Sequence, residues 1–101
     1  MYMDLQRFRE SLTADAPPAG MSLVLAALWW DAKGDWQKAH EYAQQEENAA
    51  HAWVHAYLHR KQGDLPNARY WYHQASRPVA NGNFENEWAR IAQTLLATHA
   101  Q

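Results

Sequence analysis

The sequence predicts an all-α protein, and three observations carry that expectation. Apolar residues recur at helical spacing, most plainly in Phe84, Trp88, Ile91 and Leu95 at i, i+4, i+7 and i+11. No stretch alternates apolar and polar residues in the way a half-buried strand would. A glycine-aspartate pair occurs twice between helix-patterned segments, as Lys33-Gly34-Asp35-Trp36 before Ala39 and as Lys61-Gln62-Gly63-Asp64-Leu65 before Ala68. Glycine closes a helix by accepting a left-handed conformation, and the aspartate caps the next helix through its carboxylate, so the pair encodes a tight helical hairpin.

Six helical segments follow in order. Asp4 to Leu12 places Leu5, Phe8 and Leu12 on one face, and the stretch from Thr13 to Gly20, with Pro17-Pro18, is a linker. Ser22 to Lys33 is apolar almost all round and belongs at the centre of a bundle. Trp36 to about Asn48 is amphipathic, with Trp36, Ala39, His40 and Ala43 on one stripe. A short turn near Asn48 leads to Ala49 to Gln62. Leu65 to Ser76 follows, with Pro66 in the first turn, where its missing N–H costs nothing, and Arg77-Pro78 ends it. Asn81-Gly82-Asn83 supplies a turn and a cap for the amphipathic closing segment that begins at Phe84.

Composition bounds what such a chain can do. A length of 101 residues fits one domain. A net charge of −2 offers no field that gathers nucleic acid, and His59-Arg60-Lys61 with Arg69 is the only local basic cluster. Zero cysteines exclude disulfide staples and thiolate chemistry. The apolar run Leu23 to Trp30 is too short to cross a bilayer, and Asp4 and Arg7 stand where a signal peptide would be basic then apolar. A cytoplasmic protein with no membrane and no nucleic-acid partner is expected. Ser11, Ser22 and Ser76 lack a nucleophile-elbow context, and no glycine-rich phosphate loop occurs, so no enzyme activity and no cofactor are expected.

Aligned on Gly34 and Gly63, which lie 29 residues apart, the two units pair Ala27 with Ala56, Ala39 with Ala68 and Tyr42 with Trp71. The small residues Ala27, Ala39, Ala56 and Ala68 let the helices of each hairpin approach closely. Residues 61 to 65 with Ala68 and Tyr72 resemble the tetratricopeptide repeat, whose signature has a Lys-Gln-Gly-Asp turn followed by an alanine and a bulky residue. In the first unit Ala43 stands at the bulky position, and the spacing is shorter than the family's usual 34 or so. The segment from Ala52 to Arg60, continuing through Tyr70-Trp71-Tyr72, is also similar to one found in small tetratricopeptide-like microbial proteins. The resemblance implies one domain over 1–101: an N-terminal helix and proline linker (1–19), a degenerate repeat (20–48), a second repeat (49–78) and a capping helix (79–101). Two repeats leave apolar faces uncovered, so the two outer helices are expected as caps at the flanks, with any remainder forming a homodimer interface.

The resemblance further implies a concave ligand groove on the first helix of each hairpin, at Val24, Leu28 and Asp31 and then Trp53, Tyr57, Arg60 and Lys61. Trp53, Tyr57 and Arg60 do share one helical face, within about 60° at 100° per residue. Aromatic surface beside two cations suits an extended peptide or a carboxylate. The same aromatics serve equally as packing between helices. A second candidate is the row His51, His55 and His59, at i, i+4 and i+8, whose spacing places neighbouring imidazoles on one metal; there too an interior hydrogen bond is the competing explanation. Tyr70, roughly opposite Leu65 and Tyr72, is either exposed or covered by the closing helix. The function expected from the sequence is therefore a protein- or peptide-binding module using Trp53, Tyr57, Arg60, Lys61, Asp31 and Leu28, with no bound metal. The alternative is a small metal- or ligand-binding helical protein using His55, His59 and a histidine from elsewhere.

Overall fold

Asp4 opens the first helix, α1 (Leu5–Glu10), by accepting the Arg7 amide on its carboxylate, in a computed structural model that describes residues 3–98. Residues 1–2 and 99–101, the outer ends of the expected N-terminal and closing segments, lie outside the described residues. A single 3-10 turn, Ser11–Thr13, follows, and the proline linker is irregular. Lys33 holds the linker down by donating to the Leu12 and Ala14 carbonyls. Ser22 caps α2 (Leu23–Ala32) through the Leu25 amide.

The two Gly-Asp turns are built alike. Gly34 and Gly63 adopt φ of +87° and +95°, and the amides of Asp35 and Asp64 then reach back five residues to the Trp30 and His59 carbonyls. That is the Schellman closure, which needs a residue tolerant of the left-handed region. Each aspartate next accepts an amide of the following helix: Lys38 in α3 (Trp36–Ala43) and Asn67 in α5 (Leu65–Ala75). Between these hairpins, Asn48 caps α4 (Ala49–Gln62) by accepting the His51 amide. The third helix therefore stops at Ala43, five residues before the sequence suggests. Asn48 is extended (φ −148°, ψ 174°) because it serves the next helix, and the intervening residues 44–48 form a turn. Asn83 caps α6 (Phe84–Thr98) through the Asn86 amide.

All described regular structure is helical. Helix α2 packs along α3, and α4 along α5; Ala27, Ala39, Ala56 and Ala68 are all fully buried, so the closeness expected of those four alanines is realised. Helix α4, not only the more apolar α2, is the centre, because α2, α3, α5 and α6 all pack on it. Its residues His51 to His59 are buried without a break. This is why the fourth segment, although rich in histidine, has no polar face.

The outer helices do not sit at opposite flanks. Helix α6 lies across both α2 and α4, and α1 packs beside it, with the Phe8 ring 5.6 Å from Trp88 and Arg9 bonded to Glu85 at 2.9 Å. Two hairpins leave one wide apolar face, and covering it with a single amphipathic helix buries Trp88, Ile91, Ala92, Leu95 and Leu96 together. Each such large side chain contributes about 1.5–3 kcal/mol when fully removed from water. No helix among the described residues is long and apolar enough to cross a membrane.

Candidate functional site

Two side-chain constellations lie on opposite sides of α4. The first gathers the expected groove residues. Leu28, Asp31, Trp53 and Tyr57 are buried, Arg60 is half-buried and Lys61 stands at the edge. The Tyr57 hydroxyl donates to Asp31 at 2.7 Å, and Lys61 donates to the other carboxylate oxygen at 3.1 Å. Arg60 donates to Glu87 at 2.7 Å and to the Gly82 carbonyl, and the Tyr72 hydroxyl donates to the remaining Glu87 oxygen. The Trp88 indole donates to the Leu28 carbonyl at 3.0 Å. Burial, and then the adjacent Asp31, hold the Tyr57 phenol well above its usual range, and burial followed by the Glu87 hydrogen bond does the same for Tyr72.

Asp31, Tyr57 and Lys61 are joined by these hydrogen bonds, whereas Arg60 and the Leu28 carbonyl are bonded to Glu87 and Trp88 of α6, two residues the sequence did not indicate for this face. The groove of the hairpins is thus occupied by the chain's own last helix, and Trp53 is further covered by the Arg77 guanidinium, 3.8 Å from its ring. Two hollows stay open beside them: one of about 350 Å³ lined by Asp31, Tyr57, Lys61 and Trp88, and one of about 300 Å³ lined by Trp53, Arg77 and Glu87. The Phe84-to-Leu95 stripe shows that this helix needs an apolar face to lie on without showing which one.

The second constellation faces α3 and α5. His40 on α3 meets His55 and His59 on α4, with ring centroids 4.7 and 5.2 Å away. His55 and His59, one turn apart, are 4.9 Å from each other and nearly parallel. The Nε2 atoms of His40 and His55 approach to 2.9 Å, so one donates and the other accepts. Trp36 stacks on His40 at 4.9 Å, and Trp71 stacks on His55 at 4.1 Å. These flat apolar walls take the place of water around the imidazoles. Burial first, then the mutual repulsion of the histidines, lowers the pKa of His55 to about 4 and also lowers that of His40, so both are neutral at pH 7.

His51 begins the same row but belongs elsewhere. Its Nδ1 carries the proton it donates to the Ala43 carbonyl at 3.0 Å, and its Nε2 faces Glu46 at 3.6 Å. The sequence left the third histidine of the cluster unnamed; His40 lies on the Trp36-Ala39-His40-Ala43 stripe, which is the face that α3 turns inward.

Beside the histidines opens a cleft of about 600 Å³ between the end of α3, the turn 44–48, and helices α4 and α5. Tyr70 and Trp71 of α5, Glu46 and Glu47 of the turn and His51 and His55 of α4 line it, and Glu46 accepts from the Asn48 amide at 3.3 Å. Tyr70 is 55% exposed, which resolves the choice between exposure and cover by the closing helix. Its ring meets Trp71 edge-on at 5.0 Å. Comparison with protein-family models, with curated proteins and with solved structures finds no match.

Proposed function

We propose that this chain is a binding module without catalytic activity of its own, built from two tetratricopeptide-like hairpins and acting in the cytoplasm. Its receptor surface is the cleft between α3, the turn 44–48, α4 and α5, and its partner is a protein that offers a basic segment. The observation that carries this reading is the lining of the cleft, which an exposed tyrosine and a half-buried tryptophan share with two carboxylates. A guanidinium or ammonium group gains from both kinds of side chain. An aromatic face is worth about 0.5–1 kcal/mol to a cation at an exposed site, and a carboxylate adds a charge-assisted hydrogen bond. Two or three such contacts suit a reversible interaction. The concave side, where the sequence points first, supports this less well, because a peptide there would have to displace α6.

The reading is tested with two labelled pentapeptides, one carrying two arginines and the other two glutamates, titrated against the protein by fluorescence anisotropy. The arginine peptide should bind and the glutamate peptide should not, and Tyr70→Ala with Glu47→Gln should weaken binding about tenfold, the loss of one aromatic and one charged contact. Both side chains are exposed, so neither change threatens folding. Equal binding of the two peptides, or full affinity in the double variant, would refute the proposal.

A further inference from the structure

We propose that His40, His55 and His59 form a transition-metal site, for an ion of the zinc, nickel and copper class. Each imidazole offers one ring nitrogen, and the three nitrogens all lie within 4.8 Å of one another. Zinc–nitrogen bonds of about 2.0–2.1 Å in a tetrahedron require ligand nitrogens roughly 3.3 Å apart. The closest pair, His40 and His55, stands at 2.9 Å, so the set spans the required separation and needs only rotamer adjustments of about an ångström.

Backbone and packing favour this geometry. His55 and His59 sit at i and i+4 of a fully buried stretch of helix, a spacing that stacks two side chains on one face. His40 enters from the neighbouring helix, so the set joins two elements, as structural metal sites do. His59 Nδ1 lies 3.2 Å from the Gln62 amide oxygen, which takes its proton, and Nε2 then accepts a long contact of 3.5 Å from the Asn67 amide, which a metal ion would displace. Trp36 and Trp71 restrict the two outer rings by stacking.

The donor set selects the ion. Three nitrogens with no carboxylate among them suit zinc, nickel and copper and reject magnesium and calcium, which demand oxygen. Three protein ligands leave a fourth position for water or a partner's side chain. Of the three, His55 also lines the cleft.

The ordinary alternative is that these histidines serve packing alone, with the His40–His55 hydrogen bond as their whole purpose. The two readings part in a titration of tag-free, metal-stripped protein with zinc followed by calorimetry. One zinc per chain should bind, and magnesium should give no signal. His40→Gln, His55→Gln and His59→Gln should each weaken the site about 100-fold or more, since even partners outside the ligand set are worth 10–100-fold. His51→Gln and His73→Gln, outside the triad, should leave it unchanged. Binding of less than one zinc per chain, or equal affinity in wild type and the triad variants, would overturn the proposal. Should a buried-histidine variant lose its fold, the wild type decides: zinc must raise its melting temperature and protect the imidazole Nε2 resonances of the triad, and an unmoved melting temperature would overturn the site. Tyr70→Ala should bind zinc normally, which keeps this test separate from that of the peptide cleft.

Discussion

Replacing Arg60 by methionine should destabilise the protein by about 3 kcal/mol, because the change strands a buried carboxylate. The Arg60 and Glu87 side chains are 11% and 4% exposed and 2.7 Å apart. Taking away one member of such a pair typically costs about 3–5 kcal/mol, since the remaining charge has no counter-ion and little water. Tyr72 still donates to Glu87, and this places the expected loss at the lower end of that range. Methionine keeps the aliphatic stem that packs beneath the guanidinium near Phe84. For a domain of about this size, each kcal/mol moves the melting temperature by roughly 4–8 °C, so a fall of about 12–24 °C is expected. Urea unfolding followed by circular dichroism and tryptophan fluorescence measures it. Adding Glu87→Gln should restore at least about 1 kcal/mol, because the stranded charge disappears while Tyr72 keeps an acceptor. A loss below about 1 kcal/mol for Arg60→Met, or simple additivity in the double variant, would refute the reasoning and free Arg60 for a role outside the fold.

Acid should loosen the metal-free protein well before its carboxylates titrate. His55 holds its proton only near pH 4 when folded, against 6.5 when unfolded, so the unfolded chain takes up a proton that the folded chain refuses. Stability is therefore complete above pH 6.5 and is lost as the pH falls toward 4, by about 1 kcal/mol between pH 7 and 5.5 and about 2 kcal/mol by pH 4.5. His40, which faces His55 from α3, shifts in the same direction and adds to the loss, while His51 and His59 on α4 and Trp71 on α5 complete its surroundings. Urea midpoints measured in chelator across this range check the slope; a flat profile, or one unchanged in His55→Gln, contradicts it. Ser76 closes α5 at φ 58°, a left-handed conformation that costs a side chain about 1 kcal/mol. Ser76→Gly should raise stability by about 0.5–1 kcal/mol, visible as a melting temperature a few degrees higher, and a decrease would show that the serine side chain contributes something the backbone does not explain.

Much of the fold is local and therefore legible in the chain. The Gly-Asp turns, the Asn83 cap and the bounds of α4 each depend on a few adjacent residues. What was not legible is where α6 lies, because an amphipathic stripe shows that a helix must cover something without showing what. This one placement changes the meaning of the expected groove: Trp53, Tyr57 and Arg60 share one face of α4, as their spacing indicates, yet Arg60 is tied to Glu87 of α6, and the Leu28 carbonyl accepts from Trp88 of the same helix. The histidine cluster was half legible for the same reason. His55 and His59 are paired by helical spacing, but His40 joins them only through the packing of α3 on α4, which no spacing within a single helix encodes. Tyr70 was recognisable as an outlier to its own apolar stripe, and the cleft beneath it is formed by the turn 44–48, whose early start follows from Asn48 capping α4.

The central claim is that the face formed by α3, α4 and α5 receives the partner, while the concave face is filled by α6. Backbone amide shifts of labelled protein, recorded during titration with the arginine pentapeptide, test it most directly. Changes concentrated at Glu46, Glu47, Tyr70, Trp71 and Gln74 are the expected result. Changes concentrated instead at Leu28, Asp31, Tyr57 and Lys61, with loss of the α6 signals, would show that a ligand displaces the last helix and would contradict the account.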